Sequence, residues 1–166
     1  PVSRGLGDVY KRQYGESAND YNFIPPDAPL KPLNIYGASK AASFFLLQQF
    51  CIENELEMVY GRIFSAYGKG QDKRNFWPSL YHAAISGDDF PMSSGKQIRD
   101  FIPANLVATH LVNCLKRDDV YKGKPLVINI GTGKEISLKE FALTEWQKLN
   151  AKGNILLDRI KDLSLI

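Results

Sequence analysis

Short apolar runs alternate with helix-length stretches along most of this chain, and that alternation narrows its fold more than any other feature. Residues 57–63, 98–102, 125–130 and 154–157 read as short buried strands. Between and around them, residues 36–54, 76–86, 103–116 and 138–150 carry helical patterns. Strands that alternate with helices predict an α/β protein with a largely parallel sheet. Local punctuation agrees. Pro78 and Pro103 sit in first turns, 87–89 (Gly-Asp-Asp) turns, and Ser137 is a good N-cap with Glu140 three residues on. Gly131 and Gly133 come too late for a first phosphate-binding turn and read as a strand exit.

Residues 20–34 behave differently. Pro25, Pro26, Pro29 and Pro32 preclude a regular helix there and predict a stiff extended loop. The loop feeds the helix at Tyr36, whose middle (Phe44, Phe45, Leu46, Leu47) is apolar almost all round. Such a helix needs two partners, its own sheet and a second subunit, or deep burial in a monomer.

Composition limits the function classes. The 166 residues suit one domain or part of a larger one, and 44% apolar with 23% charged fits a globular protein. The formal charge of +3 comes mostly from Arg4, Lys11 and Arg12 near the N-terminus, so it gives no support for nucleic-acid binding. Residues 8–13 (Asp-Val-Tyr-Lys-Arg-Gln) resemble a translated sequencing adapter, which places residues 1–13 outside the native fold and 14–166 within it; a flexible basic arm is the other reading. Cys51 and Cys114 read as small buried hydrophobes of a reducing, cytoplasmic compartment. No apolar run reaches membrane-spanning length, and His82 and His110 do not make a zinc site.

Tyr36 and Lys40 are the candidate chemistry. Four residues apart at a helix start, they lie on one face. An ammonium beside a phenol favours the phenolate, which suits Tyr36 to accept a proton from a substrate alcohol. A solvated lysine on a surface helix is the bland alternative.

The surroundings of that pair carry a resemblance. Tyr14-Gly15-Glu16, Tyr36-Gly37-x-Ser39-Lys40, Arg62-x-Phe64-Ser65-x-Tyr67-Gly68-x-Gly70-Gln71, Gly95-x-Gln97-x-Arg99-Asp100-Phe101-Ile102 and Asn129-Ile130-Gly131-x-Gly133 follow one another in a fixed order. The chain from Tyr14 to Leu157 resembles the C-terminal two-thirds of an extended short-chain dehydrogenase/reductase, of the NAD-dependent epimerase/dehydratase family. The resemblance implies an incomplete Rossmann-type doubly wound parallel sheet, lacking its N-terminal strands, with part of a small substrate-binding region. It implies a nucleotide-sugar oxidoreductase or epimerase using NAD or NADP, and a homodimer when full length. Tyr36 would be the general base or acid at the sugar hydroxyl. Lys40 would hold it ionised and bond the nicotinamide ribose.

Other roles follow from the same resemblance. Phe64 falls where relatives line the nicotinamide pocket, or is core. Asn75 falls where they contact the nucleotide, or is a surface turn residue. Arg99 offers a planar fork of donors to a pyrophosphate, or pairs with Asp100. The sequence departs from the pattern at Ser65 for Asn, Lys69 for Pro, and Asn105-Leu106 for an acidic pair. It contains no Gly-x-x-Gly-x-x-Gly turn, and the family's Ser or Thr falls near Tyr10, so this stretch by itself is expected to bind NAD poorly, to be inactive and to be marginally stable. A reductase of a small non-nucleotide carbonyl compound and a catalytically inactive cofactor-binding protein are the alternatives.

Overall fold

Two structural units follow from two separate apolar clusters. The computed structural model describes residues 14–160. The adapter-like segment and the expected Ser/Thr position near Tyr10 lie outside them.

The first unit is built on a parallel pair. Strand β1 (Val59–Ile63) runs beside the later strand Leu126–Ile130 in register, Val59 opposite Leu126 and Ile63 opposite Ile130. Neighbouring residues of β1 point to opposite faces. Tyr60 faces helix α1 (Ile35–Glu53), its ring centroid 4.8 Å from that of Phe44. Gly61 faces the other side, where a Cβ would come within 2.8 Å of Ile130 Cδ1 and 3.5 Å of Leu111 in the helix Ala104–Cys114. One helix on each face of a parallel pair is the doubly wound arrangement expected of the sequence. The core here joins Tyr14, Ile24, Phe64, Ile102, Val107 and Ile130.

Helix α1 starts at its cap: the Asn34 side chain accepts from Gly37 N at 2.8 Å. Its buried face is Gly37, Ala41, Phe44 and Cys51. Burying Phe44 contributes about 1.5–3 kcal/mol. The apolar surface expected almost all round the middle of this helix is not fully covered. Phe45, Leu46 and Phe50 are exposed, Leu46 by 73%, and among the described strands β1 pairs only with Leu126–Ile130.

The chain then changes partners. After β1, Phe64 N still donates to Ile130 O at 2.8 Å, but Ser65 N donates to Asp100 O at 3.0 Å. Strand β2 (Ser65–Tyr67) accordingly runs parallel to the segment Phe101–Pro103.

The second unit packs helix α2 (Phe76–Ser86) on the helix Leu138–Lys148. It also holds the parallel two-residue pair β3 (Phe90–Pro91) with Ile155–Leu156. Leu80, Phe90, Met92, Leu138, Ala142 and Trp146 form its core. The expected single strand at 98–102 is two: β4 (Ile98–Arg99) and β5 (Phe101–Pro103), broken at Asp100. After α3 (Ala104–Cys114) and β6 (Leu126–Ile130) comes β7 (Ile136–Ser137), antiparallel to β4. Helix α4 (Leu138–Lys148) and β8 (Ile155–Leu156) complete the order. Ser137 caps α4 as its sequence requires, accepting from Glu140 N at 3.0 Å. Phe101 on β5 stacks flat on Phe141 of α4, centroids 3.8 Å apart, and so ties the two units together.

Candidate functional site

The cleft of interest opens where β1 and β6 end. Residues past the carboxyl ends of parallel strands are free to diverge, and here the chain turns to β5 from Ser65 onward while Gly131 enters a turn. The gap is a cleft of about 180 Å³ lined by Phe23, Ile24, Phe64, Asp100, Asn129, Gly131, Gly133 and Glu135.

Its floor is held by one carboxylate. Asp100 is 1% exposed. It accepts from Thr132 N (2.8 Å to Oδ2), Thr132 Oγ1 (2.6 Å) and Gly133 N (2.8 Å). These charge-assisted bonds pull the turn inward, and Gly133 takes φ +71°, which glycine adopts without strain. A Cβ on Gly131 would stand 2.6 Å from Asp100 Oδ2 and 2.8 Å from the Phe64 ring. Phe64, Gly131 and Asp100 are thus in direct contact. The strand exit at 131–133 is as expected; the alternative in which Asp100 serves chiefly as the salt-bridge partner of Arg99 meets a carboxylate already engaged by this turn.

Its roof is the proline-rich loop. Asn129 Nδ2 donates to Ile24 O at 2.7 Å, and Arg62 Nη1 to Pro26 O at 2.8 Å. Arg62 is buried to 5% exposure, its guanidinium 4.7 Å from both the Tyr14 and Phe44 ring centroids. Lying over two aromatic rings replaces some of the hydration that a buried cation loses. Tyr14 Oη donates to Asn129 Oδ1 at 3.0 Å.

Burial pushes the Tyr14 phenol above its ordinary value of 10.0, with Arg62 and Asn129 pulling partly back. Tyr67 is raised too, by burial first and then by the Glu145 carboxylate, which is itself bonded by Trp77 Nε1 and Lys148 Nζ. Both folded phenols hold their protons more tightly than unfolded ones. Their contribution to stability is therefore present below pH 10 and is lost as pH rises through 10 and beyond. Urea midpoints should fall over that alkaline window, and Tyr14→Phe should flatten the fall; a midpoint that stays level would contradict it.

The expected site residues divide into two groups. Phe64, 8% exposed, is core, as one of its two readings has it, and it also lines the cleft. Arg99 is half-buried on β4, next to Asp100 and opposite Ile136. Tyr36 (48% exposed) and Lys40 stand on the first turns of α1, with Lys40 Nζ 5.5 Å from the Tyr36 ring centroid. They share a helix face as expected and are not in the cleft wall. Asn75 occupies the N-cap of α2, exposed, without a side-chain capping bond; it belongs to the second unit.

The motifs contain Asp100 and Asn129, but sequence reasoning gave neither its place in the cleft, and it passed over Phe23 and Glu135. An arginine inside an otherwise apolar strand, Arg62, was the signal that something had to come down on it. Cys51 is buried, Cys114 half-buried, and both are free. Among the described residues, no helix is long and apolar enough to cross a membrane, and no group of His, Cys, Asp and Glu could hold a metal ion.

The chain is similar to known proteins. Residues 11–131 match the family described as the NAD dependent epimerase/dehydratase family. UDP-glucose 4-epimerase of Corynebacterium glutamicum is 27% identical over 142 residues, spanning 76% of this chain and 42% of that protein. Among solved structures, the UDP-N-acetylglucosamine 4-epimerase from Methanobrevibacter ruminantium M1, in complex with UDP-N-acetylmuramic acid, superposes with a TM-score of 0.78 at 20% identity, covering 98% of this chain and 50% of that one. RMD from Pseudomonas aeruginosa, complexed with NADPH, gives 0.74 at 21% identity, covering 96% and 53%. The chain spans about half the length of the proteins it matches.

Proposed function

The chain belongs to the NAD dependent epimerase/dehydratase family, and on that premise we propose that it supplies the proton-transfer and substrate side of a nucleotide-sugar oxidoreductase or epimerase. The observation that carries the proposal is the placing of Lys40 over the Tyr36 ring, 5.5 Å from its centroid, at the accessible start of α1. Tyr36 takes the proton of a sugar hydroxyl, so that its carbon becomes a carbonyl as hydride leaves, and returns it in the reverse step. Lys40, one helical turn on, bonds the nicotinamide ribose.

The fit to a nicotinamide is supported by the cleft itself. Phe64 offers a planar wall, held against Gly131 and Asp100 at a contact only a glycine allows. NAD or NADP, when bound, accepts and gives back the hydride. Arg99 clamps the diphosphate, and Asn75, with an amide not spent on capping, meets the nucleotide. A neutral small ketone needs no guanidinium, which disfavours the small-carbonyl alternative. A second copy of the protein would cover the exposed flank of α1.

The test uses a polypeptide that also carries a dinucleotide-binding half. Mixed with oxidised cofactor and a UDP- or TDP-hexose, it should develop reduced-nicotinamide fluorescence. No such signal with any nucleotide hexose would overturn the proposal.

A further inference from the structure

Glu135 lines the cleft and takes no part in the proton transfer. It stands directly before β7, where Ile136 pairs with Arg99 of β4, so its backbone is fixed by that ladder. The residue is half-buried, and its carboxylate makes no hydrogen bond or ion pair among the described residues. Taking a charge partly out of water is unfavourable unless something pairs with it, and a cation in the cleft relieves that cost.

The rest of the lining has the same electrical sign. Asp100, the other ionisable group there, is also an acid, and no lysine or arginine is in the wall. Lys134, next to Glu135 in sequence, and Arg99, across the β4–β7 pair, both lie outside it. Phe23 and Phe64 add aromatic rings, whose negative faces attract ligand cations. The Asp100 oxygens are engaged by Thr132 and Gly133, which leaves Glu135 as the charge that meets a ligand. A volume of about 180 Å³ is below the roughly 300–1,000 Å³ of sites for drug-sized ligands, so the cleft takes one small ring.

A nicotinamide is such a ring, and it has two electrical states. Oxidised, its ring carries a positive charge; reduced, the ring is neutral. The carboxamide is common to both and can donate to Glu135 in either, so the ring charge alone tells them apart. Attraction between opposite charges near a protein surface, cut by solvent because Glu135 is only half-buried, is worth about tenfold in affinity.

We propose that Glu135 makes this cleft selective for the oxidised, cationic nicotinamide ring over the reduced, neutral one, so that the cofactor held at rest is the hydride acceptor. The proposal rests on the nicotinamide reading of the cleft. It favours chemistry that begins by oxidising the substrate alcohol over a reductase that must first hold reduced cofactor. A tenfold preference lowers the midpoint potential of the bound two-electron couple by about 30 mV.

The purified chain is titrated with nicotinamide, which is neutral, and with 1-methylnicotinamide, which carries the ring charge. NMR follows the backbone amides of Thr132 and Gly133 at the cleft floor. 1-Methylnicotinamide should bind about tenfold more tightly than nicotinamide. Its methyl group adds to that ratio, and Glu135→Gln separates the two effects: glutamine keeps the size and an acceptor oxygen but has no charge. The variant should narrow the ratio about threefold or more, chiefly by weakening 1-methylnicotinamide. High salt should do the same to the parent and leave the variant nearly unmoved. Amide spectra of the unliganded variant that overlay the parent's away from residue 135 exclude a folding defect as the cause. Equal affinity for the two compounds, or a ratio that Glu135→Gln does not move, overturns the charge selection while the nicotinamide reading stands. Should neither compound shift the Thr132 and Gly133 amides, both fall.

Discussion

Tyr36→Phe is expected to lower turnover by about 10²- to 10⁴-fold, the range of a lost general base, while cofactor affinity stays near that of the parent. The substitution removes one oxygen and keeps the ring over which Lys40 lies. Because Tyr36 is 48% exposed, no large cavity results, and stability should change by only about 0.5 kcal/mol, as for other surface positions. The measurement compares kcat for both proteins, joined to a dinucleotide-binding half, with cofactor titrations run alongside. An unchanged kcat defeats the proposed role of the phenol. Lost cofactor binding with an unchanged kcat at saturation would instead make Tyr36 a binding group.

Asp100→Ala should produce the largest stability loss of any cleft substitution. Three donors close on this carboxylate: Thr132 N, Thr132 Oγ1 and Gly133 N. A buried donor left without an acceptor costs about 1–3 kcal/mol. Thr132 and Gly133 are themselves exposed, so water can reach part of the turn and the sum is not fully incurred. Against it stands the desolvation of a carboxylate that is 1% exposed, relieved by the substitution. Unpaired donors at several points outweigh one relieved charge, and the expected net loss is about 2–4 kcal/mol by urea titration. Asp100→Asn, which keeps one acceptor oxygen, should lose less than Asp100→Ala. If Asp100→Ala matched or exceeded the parent in stability, desolvation would have outweighed the turn.

What the sequence discloses and what it hides follow from the range of the interactions involved. The helix at 76–86 and the Ser137 cap are local events, governed by residues within a turn of one another, and they stand where expected. The pairing of Tyr36 with Lys40 is local as well. β3 is different: Phe90 is a strand residue because Ile155 lies beside it, and no nearby pattern announces a partner so distant. Asp100 splits a strand because its side chain is needed by a turn 32 residues on. Phe23 read only as part of a proline-rich loop, since its place in the cleft depends on Asn129 and Arg62 reaching across from two strands. Motifs located Phe64 and Arg99, but the physical work of Asp100, their close neighbour, emerges only in three dimensions.

The clasp between Asp100 and the turn at Thr132 has a kinetic corollary. Its two halves are supplied by separate stretches of chain, so a polypeptide emerging during synthesis has no cleft floor until the later stretch has docked on the earlier one. Half-assembled forms with β1 and α1 in place would therefore lack the cleft, whose closure marks the completion of this half of the molecule.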